Sequence, residues 1–143
     1  PARSTLARAI EMVGVPVVVH CCAADAPIRL IQESGAVGVG LDLGRIDDLD
    51  VLGEAIDAGL GLLAGAVDTA ALVAGRPAAD RSADIAARVR RLWHMLGFPP
   101  ADLAARVVVG PACGLAGLTA PKAREVLAAC RDAARRLTEE GHE

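Results

Sequence analysis

The sequence is almost without aromatic residues: among 143 residues there are one Trp, one Phe and no Tyr. A core built mainly from Ala, Val and Leu buries little area per residue, so it depends on close backbone approach, as between packed helices and parallel strands. Hydrophobic residues make up 53% of the chain and the mean hydropathy is +0.40, which excludes intrinsic disorder. The length is that of one globular domain.

Positive charge and long hydrophobic runs are also scarce. Lys and Arg total 15 against 18 Asp and Glu, a formal net charge of −3, so the chain lacks the basic surface that nucleic acid or an anionic membrane requires. No apolar run reaches the roughly 18 residues of a membrane span, and residues 1–8 lack the pattern of a signal peptide. We therefore expect a cytoplasmic protein with no nucleic-acid or membrane partner.

Four short apolar runs predict the strands of a parallel sheet. Near-continuous Val, Leu and Gly without polar alternation is typical of a parallel strand that is covered on both faces. Glycines inside these runs form no phosphate-binding loop and instead allow close approach of neighbouring layers. The predicted strands cover residues 15–20, 36–43, 60–67 and 107–110.

Helical patterns precede, separate and follow these strands, and most of them end at a glycine. Ser4 and Asp25 are expected to cap the first two helices at their amino ends. One helix followed by four strand–helix units predicts a parallel α/β chain, either a small open doubly wound sheet or half of a (β/α)8 barrel. The predicted helices cover residues 4–13, 26–34, 47–58, 82–96 and 119–141.

Side chains suited to chemistry follow the carboxyl ends of the predicted strands, which form the ligand-binding rim in either architecture. Because alternate residues of a strand share a face, His20 and Cys22 converge on one point. Cys113 stands in a Gly-Pro-Ala-Cys-Gly turn after the last strand, at the same rim, while Asp42 and Asp68 follow the two middle strands. An imidazole and two thiolates are ligands that Zn²⁺ prefers.

The ordered set of His-x-Cys at 20–22, an acid at 42, Val-Asp at 67–68 and Pro-x-Cys-Gly-Leu at 111–115 resembles a known family. It is similar to the C-terminal catalytic barrel of cobalamin-independent methionine synthase, over residues 15–137. The resemblance implies that residues 1–143 form the C-terminal half of a (β/α)8 TIM barrel: an α/β fold of four parallel strands with flanking helices and one leading helix.

The resemblance also implies a function and a site. A catalytic Zn²⁺ would be held by His20, Cys22, Asp42 and Cys113, and Asp68 would contact substrate. The metal would activate the sulfur of a small thiol, homocysteine in that family, which then accepts a methyl group from a methyl donor. The implied activity is zinc-dependent methyl transfer in methionine biosynthesis.

Both acidic residues also have a purely structural interpretation. Asp42, which stands where the family has Glu, can cap its own loop through Gly44, and Asp68 can turn the chain into the next segment. The family carries a histidine close behind the Val-Asp pair, whereas this chain reads Thr69-Ala70-Ala71. A proton-handling role expected there is missing or filled from elsewhere.

Three other functional classes compete with methionine synthesis. Zinc-dependent thiol methyltransferases of the uroporphyrinogen decarboxylase-like superfamily also use His-x-Cys with a distant Cys, and they activate a different thiol such as coenzyme M. A diverged, non-catalytic barrel could keep a structural metal site as a scaffold or assembly module. Decarboxylation of a tetrapyrrole is disfavoured, because the pattern that this sequence retains is the spacing of metal ligands.

Several other polar residues are predicted to be structural. Cys21 is expected to face the helix layer, and Cys130 lies on the apolar stripe of the last helix, so both are expected to be inert core thiols. Arg88, Arg90 and Arg91 are expected to form a solvated helix face.

The length of the chain indicates that its sheet needs a covering partner. A complete barrel takes about 250 residues, so 143 residues supply four of its eight units. The first and last strands would then be unpaired edges, and an apolar half sheet is not expected to stay bare in water. We expect either a missing N-terminal half barrel or a second copy of the chain to cover it.

Overall fold

The computed structural model describes residues 1–76, 78 and 81–140, and Gly141, the expected end of the last helix, lies outside them. The chain is an α/β structure of four parallel strands with flanking helices. No helix in the described part is both long enough and apolar enough to cross a membrane. The strands are β1 (Val18–Cys21), β2 (Gly38–Asp42), β3 (Gly61–Val67) and β4 (Val107–Pro111).

Five helices match the predicted set, and two short ones, α4 and α6, were not predicted. A 3₁₀ turn at Pro100–Asp102 precedes α6. The helices are α1 (Ala2–Val13), α2 (Ile28–Glu33), α3 (Leu49–Asp57), α4 (Thr69–Val73), α5 (Ser82–Met95), α6 (Leu103–Arg106) and α7 (Ala120–Glu140).

Glycines follow the ends of the first three helices, as the sequence predicts. Gly14, Gly35 and Gly59 follow α1, α2 and α3 with φ of 69°, 87° and 103°, a left-handed conformation that glycine adopts without strain. The amino-terminal caps predicted at Ser4 and Asp25 are wrong. The Ser4 hydroxyl donates to a backbone carbonyl from inside α1, and α2 begins at Ile28 with no side-chain cap from Asp25.

The strands lie in the order β1-β2-β3-β4, and every neighbouring pair is parallel. A doubly wound sheet reverses its strand order at a switch point, and the four described strands contain no such reversal. The order along the sheet therefore follows the order along the chain, with β1 and β4 at the edges.

One face of the sheet is covered by helices and holds the core. Helices α2, α5 and α7 contact β2, β3 and β4, respectively. Val39 and Leu41 of β2 and Leu62 and Ala64 of β3 point to this face, and each is at most 2% exposed. Burial of these side chains between sheet and helices supplies the main hydrophobic stabilisation of the chain.

Within the described residues, the other face of the sheet has no helix layer contacting it as the first face does, and its edge-strand side chains are exposed in the single chain; we call it the open face. Register partners share a face in a parallel pair, so His20 shares this one with Leu63 and Val108. Val18 and Val108 are 50% and 64% exposed. The expectation that both faces are covered holds for β2, whose residues 38–41 are all buried, and fails at the edge strands β1 and β4, where Val18 and Val108 are exposed. The glycines of this face are Gly38, Gly40, Gly61, Gly65 and Gly110.

The chain leaving β4 turns inward across the open face, and Gly65 makes room for it. A Cβ at Gly65 would lie 2.5 Å from the Leu41 carbonyl oxygen and 2.6 Å from the Cα of Ala112. The register between β3 and β4 shifts here, and the Ala112 N–H donates to the Val67 carbonyl at 2.9 Å. This irregularity carries the segment that follows, including Cys113, over the centre of the sheet.

Replacing Gly65 by alanine is expected to displace that segment, because both clashing groups are backbone. We expect G65A to lower the free energy of unfolding by about 1–3 kcal/mol in chemical denaturation. Gly114→Ala is the matched control, since a Cβ at Gly114 meets nothing within 4 Å and its φ is not positive. Equal stability of G65A and wild type would contradict the close approach.

Candidate metal centre

The structure brings together three of the predicted site residues. His20 lies in β1, Cys22 directly follows β1, and Cys113 follows β4 by two residues. Their donor atoms all lie within 4.8 Å of one another. This is the one group of His, Cys, Asp and Glu with metal-binding geometry within residues 1–76, 78 and 81–140, and it could hold a metal ion.

The contact between the two cysteines joins opposite edges of the sheet. Neighbouring strands are about 4.8 Å apart, so three spacings put the edge strands of a flat sheet about 14 Å apart. The Sγ atoms of Cys22 and Cys113 are nevertheless 3.8 Å apart. The carboxyl ends of β1 and β4 must therefore curl towards each other over the open face, and the inward turn at Gly65 completes the approach.

The imidazole of His20 lies over a glycine of the neighbouring strand. A Cβ at Gly40 would stand 3.0 Å from His20 Nδ1 and 3.3 Å from Leu63 Cδ2. Any larger residue at position 40 would push the ring away from the sheet. Glycine at this register position therefore fixes where His20 can present its nitrogen to the cysteines.

The two thiols are a reduced pair, since their sulfur atoms are far beyond the length of a disulfide bond. The hydrogen bond with Cys113 raises the pKa of Cys22 above its usual value, and the unfavourable charge interaction between two neighbouring thiolates adds to this. A positive charge bound between the two sulfurs would offset this repulsion. The pair is thus suited to a metal cation.

Asp42 is not part of this group. Its Oδ1 accepts the Gly44 N–H at 2.8 Å, and its Oδ2 lies 3.6 Å from Arg45 Nε. The carboxylate holds its own loop, which is the structural role that the sequence also allowed. Direct ligation of a metal by Asp42 remains a prediction.

Asp68 is the amino-terminal cap of α4. Its Oδ1 accepts the Ala71 N–H at 2.9 Å, which satisfies a backbone donor at the start of that helix. The residue also lines a cleft that opens beside the cysteines. Contact of Asp68 with a substrate remains a prediction.

The other two cysteines lie away from the centre. Cys21 points to the helix-covered face and packs against the core. Cys130 on α7 is 3% exposed, and burial raises its pKa, so it stays a neutral thiol. Their predicted place in the core is confirmed, and they offer controls for the chemistry of Cys22 and Cys113.

The cleft beside the centre has a volume of about 450 Å³ and contains arginines that the sequence did not point to. Arg88 was expected on a solvated helix face, but it is half-buried and its Nη1 donates to the Ala66 carbonyl at 3.0 Å. Arg45 and Arg76 line the same cleft. The sequence did indicate that Arg88 is partly buried, because it lies three residues after Ile85, on the apolar stripe of α5.

No protein-family model matches the chain, and no curated protein or solved structure matches it.

Metal binding is expected to need both converging cysteines. We expect the purified chain to bind one Zn²⁺, and C22S and C113S to weaken binding by more than about 100-fold, because each removes a ligand. C21S and C130A serve as controls and should bind as wild type does. Competition with a chromophoric chelator measures the affinities. If all four variants bind equally well, the three-residue centre is wrong.

Proposed function

We propose that the chain carries a catalytic zinc centre for methyl transfer to a metal-activated thiol. His20, Cys22 and Cys113 are the protein ligands in this proposal. A small thiol is the acceptor, with homocysteine as the first candidate from the methionine synthase resemblance, and a separate methyl donor supplies the methyl group.

The donor geometry fits Zn²⁺. Two thiolates bound at about 2.3 Å in a tetrahedral arrangement stand about 3.8 Å apart. The separation between Cys22 Sγ and Cys113 Sγ is 3.8 Å, which supports occupation of one coordination sphere with little movement. Together with the imidazole of His20, the donor set matches the nitrogen and sulfur ligands that zinc prefers.

The observation that carries the proposal is the accessibility of a three-ligand centre. Structural zinc sites are closed by four protein ligands, whereas catalytic sites keep one position for water or substrate. Three protein donors meet here, and both His20 and Cys113 are exposed. An incoming thiol therefore has a path to the fourth position, which a scaffold protein with a closed structural site would not need.

For this reaction the protein mainly has to hold and orient the acceptor thiol. Bound zinc lowers the pKa of a thiol from about 8.5, so that a thiolate nucleophile exists at neutral pH. Cys22 and Cys113 would hold the metal, and through it the acceptor, at the rim of the sheet, beside a cleft of a size for a small molecule. Asp68 lines the cleft and is our candidate for a contact with the acceptor.

We further propose that the four units are half of a (β/α)8 barrel. Three observations support this: the sequential parallel strand order, the curl that brings the edge strands together, and the exposure of Val18 and Val108 on the open face. The covering partner is four more strand–helix units, supplied by an N-terminal half barrel or by a second copy of this chain.

Thiol ligation tests the proposed function directly. In the cobalt-substituted chain we expect homocysteine to add a sulfur-to-cobalt charge-transfer band with saturable dependence on its concentration. Methionine, whose sulfur already carries a methyl group, is the control and should leave the spectrum unchanged. An unchanged spectrum with homocysteine as well would indicate a closed structural site and contradict the proposal.

Measuring the oligomeric state tests whether a second copy of the chain covers the open face. We expect light scattering after size-exclusion chromatography to give a dimer, and V108D to give a monomer, because the charge would lie on the open face. Met12→Asp is the control, since Met12 is on α1 and is 83% exposed. A wild-type chain that stays monomeric at all concentrations would contradict self-pairing and favour an N-terminal half barrel.

A further inference from the structure

Cys22 and Cys113 are the two cysteines that combine close approach with access to solvent. Their Sγ atoms lie 3.8 Å apart, Cys113 is exposed and Cys22 is partly exposed. The remaining thiols are shielded, because Cys130 is 3% exposed and Cys21 packs against the core. Oxidation of a cysteine depends on its exposure, so an oxidant dissolved in water reaches this pair before the other two.

The backbone around each sulfur leaves room for the two to join. Cys22 directly follows β1 and Cys113 lies in the turn after β4, so neither residue is inside a strand. A disulfide bond is about 2.05 Å long, so the sulfurs would have to approach each other by less than about 2 Å. Gly114 follows Cys113, and a Cβ there would meet nothing within 4 Å, which gives the turn space for this adjustment.

A disulfide and a bound metal exclude each other at this pair. Two sulfurs that bind one Zn²⁺ stand about 3.8 Å apart and carry negative charge, whereas disulfide sulfurs are bonded to each other and uncharged. Oxidation would therefore remove two of the three candidate ligands and leave His20 alone. The bond would also join the carboxyl ends of β1 and β4, which are opposite edges of the sheet.

We propose that Cys22 and Cys113 form an oxidation-sensitive switch, in which a peroxide converts the pair to an intramolecular disulfide that cannot bind metal. The inference rests on the metal centre that the proposed function uses, but it does not depend on methyl transfer. It assigns to the pair two alternative states, a reduced state that binds metal and an oxidised state that closes the rim covalently.

The oxidation balances with hydrogen peroxide as the oxidant. The sulfur of Cys113, the more exposed of the two, attacks one peroxide oxygen, the O–O bond breaks, and a sulfenic acid and one water form. The sulfur of Cys22 then attacks the sulfenic sulfur, the S–O bond breaks, and a second water leaves. Two electrons pass from the thiols to the peroxide, and both thiol protons end in the waters. With Zn²⁺ bound, two protons from solvent take their place and the ion is released.

Peroxide treatment of the metal-free chain tests the switch. The chain is oxidised under native conditions, the remaining thiols are alkylated in denaturant, and the digested product is analysed by mass spectrometry. We expect a chain lighter by two hydrogen atoms, a cross-link between Cys22 and Cys113, and alkylation of Cys21 and Cys130. Because the bond closes a loop of residues 22–113, the oxidised chain should also migrate faster in a denaturing gel without reductant.

Zinc binding gives a second readout. Oxidation is expected to weaken zinc binding by more than about 100-fold, since two ligands are lost, and a reducing dithiol should restore it. In the zinc-loaded chain, a chromophoric chelator should detect one Zn²⁺ released for each disulfide formed.

Variants assign the disulfide to this pair. C22S and C113S should form no intramolecular disulfide, and in C22S the sulfenic acid left on Cys113 should be trapped by dimedone. C21S and C130A are the matched controls and should form the disulfide at the wild-type rate. A bond between Cys21 and Cys22, a bond between two chains, or zinc affinity that survives oxidation would overturn the switch.

The outcomes separate this inference from the proposed function. A chain that responds to homocysteine in its cobalt-substituted form but forms no disulfide between Cys22 and Cys113 keeps the proposed function and loses the switch. A chain that forms the disulfide and releases zinc but does not respond to homocysteine keeps the switch and loses the proposed function. If the reduced chain binds no zinc, both fail.

Discussion

The two edges of the sheet meet at their carboxyl ends, and the candidate site exists only because of that meeting. Cys22 belongs to one edge and Cys113 to the other, yet their sulfurs are 3.8 Å apart. A flat four-stranded sheet would separate them by roughly three strand spacings. The site is therefore a product of sheet curvature, and a change that flattens the sheet would separate the candidate metal ligands without altering any of them.

The curvature depends on what the open face lacks. Glycine at position 40 lets the His20 ring lie against the sheet, and glycine at 65 lets the chain after β4 cross over β3. The opposite face is filled by Val, Leu and Ala under helices, which anchor the strands from behind. The helix-covered face thus supplies stability, whereas the open face has less side-chain packing and so leaves room for ligands. This division is typical of α/β proteins, in which binding residues lie at strand ends on a rigid scaffold.

Much of the fold could be predicted from the sequence, because buried strands and glycine-ended helices leave local patterns. The third strand, predicted over 60–67, spans Gly61–Val67, and the fourth, predicted over 107–110, spans Val107–Pro111. The short helix at Thr69–Val73 was missed, since five residues are too few to show helical periodicity. The exposure of Val18 and Val108 was not evident from the strand patterns themselves, because glycine-rich strands look the same in sequence whether a second layer covers them or not.

The candidate site was predicted in part. Alternation along β1 was enough to pair His20 with Cys22, and the common rim was enough to add Cys113. The carboxylate of Asp42 is held by a hydrogen bond within its own loop. The spacing of residues along the strands places Asp42 at the rim but does not show which way its carboxylate points. Arg88 was assigned to solvent because charged residues on helices usually lie there, although its place on the apolar stripe of α5 indicated otherwise.

The central claim is that two cysteines and one histidine hold zinc with a fourth position open to a thiol. X-ray absorption at the zinc edge tests it most directly, because sulfur and nitrogen neighbours differ in distance and scattering. The account predicts two sulfur neighbours at about 2.3 Å in the zinc-loaded chain, and three after homocysteine is added. A sulfur count that stays at two with saturating homocysteine, or that differs from two before it is added, would contradict the account.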